Sequence, residues 1–234
     1  MNDSRYLKDE SKFLDYTFSV LKQYFNNDRE LFNSFYKSID SEDKKNKFLK
    51  IASFYKFFVA DGKFIIKSNN PDTYIDYLDH TYKYIAMFLF IEDLNTNNEY
   101  KDFYSWLKNE TIEYPINKKG VDSLQKKYLS IHGSTKKAVS FFESLDDQTK
   151  KYITDNFQII DNGKNAFTYL ARLFYQIRND FVHKSKIIAQ FNKGTTVHSI
   201  GNKRIKNNLN IEDIKTIFEK GFLIFFGFKK LKSH

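Results

Sequence analysis

Apolar residues recur at every third or fourth position along most of the chain, the spacing that gathers them onto one face of a helix. SKFLDYTFSVLKQYFNN (11–27), DRELFNSFYKSI (28–39) and SEDKKNKFLKIASFYKFFVADG (41–62) read as three successive amphipathic helices. Asp28 is placed to cap the second, Ser41 opens the third ahead of an acidic turn, and Gly62 stops it. DTYIDYLDHTYKYIAMFLFIEDL (72–94) begins one residue after Pro71 and turns apolar on nearly every side in its second half. That pattern predicts a central, buried helix.

YKDFYSWLKNE (100–110) predicts a short helix carrying the only Trp, Trp106. The loop holding Pro115 and Gly120 then separates an N-terminal helical extension, 1–120, packed on the same bundle, from a helical domain, 121–234. VDSLQKKYLSIHGSTKKAVSFFESL (121–145) reads as two helices broken at Gly133, and DDQTKKYITDNF (146–157) as another short one. A long helix follows over about 164–190. NKGTTVHSIGNKRIKNNLN (192–210) is polar and basic, a loop or small hairpin turning at Gly201-Asn202. IEDIKTIFEKGFLIFFGFKKLK (211–232) closes the chain. The expected fold class is all-α, a helical bundle.

Composition narrows the class. Aromatic residues make up 18% of the chain, too much apolar surface for a disordered segment. The longest apolar runs, YIAMFLFI (84–91) and FLIFFGF (222–228), are too short to span a bilayer. No basic-then-apolar leader opens the sequence. Without cysteine there is no disulfide, thiolate nucleophile or Cys-type zinc site. A soluble cytoplasmic protein is expected. The formal charge of +9 favours a polyanionic partner, nucleic acid before membrane. Of 38 basic residues only five are Arg, at 5, 29, 172, 178 and 204. Where Lys is the default cation, an Arg suggests a need for the planar fork that grips phosphate oxygens.

Arg172 and Arg178 share the long helix. With Arg178 at zero on a wheel of 100° per residue, Leu170, Phe174, Ile177, Phe181 and Ile188 fall roughly between 260° and 320° and should pack inward. Arg172, Gln176, Asn179 and His183 fall roughly between 100° and 160°. Such a row of hydrogen-bonding groups fits a seam against solvent or a second molecule better than a core. Arg178 sits at the margin of the row. A plainer reading is a basic helix end near the negative pole of the helix dipole.

RNDFVH, residues 178–183, resembles the R-(N/D/H)-x3-H pattern of the HEPN superfamily, small helical domains many of which are metal-independent endoribonucleases. The surrounding LFYQIRNDFVHKSK looks like that family's usual setting, and YLSIHGSTKKAVSFF (128–142) resembles a helix-turn-helix found upstream of the motif. The resemblance covers about residues 121–232. It implies Arg178 and His183 as catalytic residues with Asn179 as their polar support, and a homodimer with a composite site. It also implies growth-arresting RNA cleavage in a toxin–antitoxin or antiviral abortive system, with an antitoxin or regulatory protein as a further partner. Many such toxins carry a Tyr two places after the His; here that position is Ser185, which speaks against control by nucleotide modification at that site.

The chemistry can be argued without the family. Metal-free RNA cleavage needs one group to take the proton of the attacking 2′-hydroxyl and another to protonate the leaving 5′-oxygen. Histidine does either near neutral pH, while arginine holds the non-bridging oxygens as charge builds. One His per motif leaves a single chain one proton mover short, which a two-fold dimer supplies. Arg172, Gln176, Lys184, Lys186 and Arg204 are the expected RNA contacts, with His198 beside Arg204 in the basic loop. His80 reads as a polar core residue and His132 as an ordinary helix-end residue. No pair of histidines has metal-ligand spacing, and no cofactor motif is present. Two rivals remain: a non-catalytic HEPN module binding RNA, nucleotide or protein, and a basic helical DNA-binding protein.

Overall fold

The computed structural model describes residues 5–64, 74–94, 100, 102–112, 115–160, 167–186, 191, 194–200 and 202–228. Pro71, Ile188, Gly201 and His234 lie outside them. The chain opens with α1 (Arg5–Lys8), α2 (Glu10–Leu21), α3 (Arg29–Lys37) and α4 (Glu42–Tyr55). Asp28 caps α3 as expected, its Oδ1 accepting from the amides of Glu30 and Leu31 at 2.8 and 3.1 Å. Ser41 caps α4 through the Lys44 amide at 3.3 Å. α4 runs into a π-helical turn, Lys56–Ala60, and stops where the sequence places Gly62. A Cβ there would stand 2.3 Å from the Phe57 carbonyl oxygen, so the tight return admits only glycine.

α5 (Tyr74–Leu94), α6 (Phe103–Leu107), α7 (Lys118–His132), α8 (Ser134–Glu143) and α9 (Asp147–Asn156) follow, with the predicted break at Gly133. α5 buries Tyr84, Met87, Phe88, Ile91 and Leu94, yet Tyr82 and Leu89 on its other side are exposed. It therefore lies at the edge of the core rather than surrounded by it. After α10 (Phe167–Lys184) come two strands and the closing α11 (Ile211–Phe225). Among the described residues no helix is long and apolar enough to cross a membrane.

The all-α expectation needs one correction. β1 (Phe157–Ile159), β2 (Thr196–Ile200) and β3 (Lys203–Asn207) form an antiparallel sheet in the order β1-β3-β2. β2 and β3 make the hairpin foreseen around 201–202, with Ile200 opposite Lys203. β1 was not foreseen, because three residues are too few to show a period of two and Phe157 also continues the helical spacing of 146–157. In the sheet it pairs Phe157 with Asn207 and Ile159 with Ile205.

One contiguous core joins the early helices to the late ones. At its centre Phe174 of α10 stacks on Phe157 at 4.5 Å and on Phe142 of α8 at 5.2 Å. The hydroxyl of Tyr84 donates to the Phe174 carbonyl at 2.7 Å, fixing α5 across α10. These contacts, not the helix's own propensity, hold α10 in place and so decide which of its faces stays outside.

Candidate functional site on the long helix

α10 divides as its periodicity predicts. Leu170, Phe174 and Ile177 are buried, and Phe181 packs partly buried against the core. Arg172 and His183 are exposed, with Gln176 and Asn179 half-buried between them. The polar row is therefore the helix's outward edge. Arg178 lies at its margin and is drawn inward, its side chain only 13% exposed.

Three groups hold the Arg178 guanidinium. Nη1 donates to Oδ1 of Asn179 at 3.1 Å, and Nη2 stands 3.3 Å from Oε1 of Glu92 at the end of α5. The plane lies over the Tyr175 ring with 5.6 Å to its centroid, within cation–π range. The Glu92 contact is an ion pair rather than a hydrogen bond, since that oxygen has no hydrogen-bond partner among the described residues. Arg178 Nε is likewise buried without one. Burial, first, and the Glu92 carboxylate push the Tyr175 hydroxyl up, while its hydrogen bond with Ser134 at the start of α8 and the Arg178 charge pull the other way. α5, α8 and α10 thus meet in one small polar cluster beneath the exposed row.

His183 stands apart from that cluster. It occupies the last turn of α10, exposed, one turn beyond Asn179, and its imidazole has no hydrogen-bond partner among the described residues. Five residues of helix put it about 7.5 Å farther along the axis than Arg178. The helix then ends at Ser185, in the left-handed region with φ 53°. The structure brings Arg178 and Asn179 together, and the His183 imidazole stands at the rim without a partner among the described residues.

The expected RNA contacts fall into different places. Lys184 pairs with Asp180 at 2.7 Å, and Lys186 lies 4.0 Å from the same carboxylate. Both lysines are exposed, so these pairs are weak and a phosphate can compete for them. Arg172 and Gln176 share the row. Arg204 is on β3 and exposed, on the sheet face opposite Ile205, whereas Phe157 and the inward face pack on α10. It is not gathered with the motif. His198 is corrected more sharply: it sits opposite Ile205, 6.4 Å from the Phe157 ring, with both ring nitrogens buried and without partners among the described residues, so they cannot reach an RNA backbone from there. His80, expected to be satisfied, leaves Nδ1 buried without a partner among the described residues, while His132 packs against the rings of Tyr128 and Tyr100 at 5.2 and 5.6 Å.

Sequence reasoning missed Glu92, Tyr175 and Ser134. Glu92 had a legible signal, a carboxylate directly after the apolar YIAMFLFI, where a charge on a partly buried helix needs a partner. Nor does every scarce arginine grip a phosphate. Arg29 spends its fork on Asp15 at 2.7 Å and on the Phe18 ring at 5.0 Å, a purely structural use. Among the described residues no group of three or more His, Asp or Glu is placed to hold a metal ion. Compared with protein-family models, curated proteins and solved structures, the chain matches none.

Proposed function

We propose that the chain is a HEPN-type, metal-independent endoribonuclease that works as a homodimer, in the role of a toxin or antiviral abortive-infection effector. The observation that carries this reading is the division of labour along α10. Arg178 is anchored by Asn179 and Glu92, while His183 projects unengaged from the same exposed edge. A fixed guanidinium suits a phosphate whose charge builds in the transition state. A free imidazole suits proton transfer.

The reaction balances without a co-reactant. The ribose 2′-oxygen attacks the adjacent phosphorus and gives its proton to one imidazole; the phosphorus–O5′ bond breaks and the leaving oxygen takes a proton from the other. The products are a 2′,3′-cyclic phosphate and a 5′-hydroxyl. Since each chain brings one His183, the second proton carrier comes from a second copy whose polar edge faces the first.

One observation favours a rival, a non-catalytic module of the same type that binds RNA, nucleotide or protein. Arg178 already has a carboxylate partner within its own chain, so its place on α10 is accounted for by structure alone. Purified protein incubated with total RNA in EDTA separates the two. Cleavage leaving cyclic phosphate ends, lost in His183→Ala and strongly impaired in Arg178→Lys, supports the nuclease. Undiminished cutting by His183→Ala overturns it, and RNA retention without any cutting favours the rival.

A further inference from the structure

At the far end of α8 from Ser134, about 15 Å along that ten-residue helix, the surface opens into a second feature. It is a cleft of about 630 Å³ between the turn after α2, the α8–α9 junction and α11. That volume lies within the range of small-molecule sites. Leu223, Ile224 and Phe228 form an apolar wall.

Three groups of the polar wall already give a proton inside the protein and so offer acceptors, while Asn26 and Gln148, the other amides of the lining, can donate or accept. Tyr24 donates its hydroxyl to Glu219 Oε2 at 2.7 Å, and Gln23 Nε2 donates to the same oxygen at 2.9 Å. Glu219 is buried and also takes the Tyr55 hydroxyl, so this backing is fixed. Ser144 donates to the Phe141 carbonyl at 2.7 Å. The Tyr24 and Ser144 oxygens and the Gln23 carbonyl are left with lone pairs to offer. The Asp146 carboxylate, which hydrogen bonds to Thr149 and the nearby Lys220 charge hold below its usual range against the opposing effect of burial, joins them on the rim.

Among the described lining residues one cation, Lys220, faces this set. Lys220 Nζ donates to Thr149 Oγ1 at 3.3 Å, and the same hydroxyl donates to Asp146 Oδ2 at 2.7 Å, so ammonium and carboxylate stand within about 6 Å of each other. With one bond made, the Lys220 ammonium keeps two protons to give.

We propose that this cleft binds a free zwitterionic α-amino acid with a bulky apolar side chain. Its ammonium meets Asp146 and the acceptor wall, its carboxylate meets Lys220, and its side chain lies on Leu223, Ile224 and Phe228. A simple amine leaves Lys220 facing a like charge, and a simple carboxylate leaves Asp146 doing so. Only the zwitterion matches both with one small molecule. The cleft is independent of the motif on α10, and its occupancy does not depend on RNA cleavage.

Calorimetric titration of the full chain with L-phenylalanine tests this, beside 3-phenylpropionate, which lacks the ammonium, and phenethylamine, which lacks the carboxylate. Saturable binding of the amino acid is expected, about tenfold or more tighter than either analogue. Lys220→Met should erase its advantage over phenethylamine, and Asp146→Asn, which keeps a capping side chain for α9, its advantage over phenylpropionate. Ile224→Trp, at a half-buried position on the apolar wall, should block all three by filling the cleft. No saturable heat up to about 10 mM, equal binding of all three ligands, or binding undiminished in Ile224→Trp overturns the proposal.

Discussion

Oε1 of Glu92 and Nη2 of Arg178 stand 3.3 Å apart, with 20% and 13% of their side chains exposed. The pair joins the end of α5 to the third quarter of α10 across 86 residues of chain, and neither ion has full hydrogen-bond satisfaction. A pair this poorly solvated is worth little net against an apolar alternative, but removing one member strands the other. Its value therefore lies in where it puts the guanidinium.

Glu92→Ala is accordingly expected to cost about 1–3 kcal/mol, because Arg178 then keeps Asn179 as its one acceptor among the described residues. Arg178→Met added to Glu92→Ala should recover a good part of that loss. Denaturant unfolding of the two single variants and the double variant gives the coupling. Additive effects would mean that the pair is not coupled. If the proposed function holds, Glu92→Ala also lowers RNA cleavage while His183 is untouched.

Gly221 faces a different constraint. A Cβ there would stand 2.3 Å from Cζ of Phe141, where α11 packs on α8. Phe141 is itself buried, 6.1 Å from the Phe218 ring, and has little room to retreat. Gly221→Ala gains up to about 1 kcal/mol of helix propensity and loses about 1–3 kcal/mol to overpacking. A lower urea midpoint with an unchanged slope is expected, and a midpoint at or above wild type would show that the ring yields freely.

Most helices were legible in the sequence because they are amphipathic and carry local boundary signals, the caps Asp28 and Ser41 at their starts and Gly133 at a stop. β1 was not, since what holds it is distant in the chain: pairing with β3, some fifty residues away, and the stacking of Phe157 on Phe174. The candidate site was half legible. The row of Arg172, Gln176, Asn179 and His183 follows from the period of one helix, and the structure leaves that row on the outside. What faces Arg178 is set by how α5 crosses α10, a tertiary relation that no window of sequence contains. The same limit misplaced His198. In a hairpin of uncertain register, one residue's shift exchanges an RNA-facing ring for one against Phe157.

Alkaline pH should loosen the fold through its buried tyrosines. Burial, and for Tyr55 also the Glu219 charge and hydrogen bond, push the hydroxyls of Tyr55 and Tyr84 well above their ordinary value. Below about pH 10 both states keep these protons and the contribution is complete. Above it the unfolded chain ionises first, so stability falls by about 1.4 kcal/mol per pH unit for each group. Unfolding free energies at pH 8, 10 and 11 measure the slope. Tyr84→Phe, which loses the bond to the Phe174 carbonyl, should be less stable at pH 8 but show a shallower decline.

Acid acts through His198, with the opposite sign. Burial without a partner holds this imidazole down to about 4. On acidification the unfolded chain takes the proton first, so the contribution of the neutral ring is whole above about pH 6.5 and is lost as pH falls toward 4. With the ring only partly screened from water, about 1–2 kcal/mol is expected over that window. His198→Leu puts a group that cannot ionise against Phe157 and Ile205. Its stability relative to wild type should therefore rise by that amount between pH 7 and 4.5, read from urea midpoints at each pH. A difference that stays constant across the window would mean that the ring takes its proton as readily in the folded sheet as in the open chain, and so reaches water despite its position.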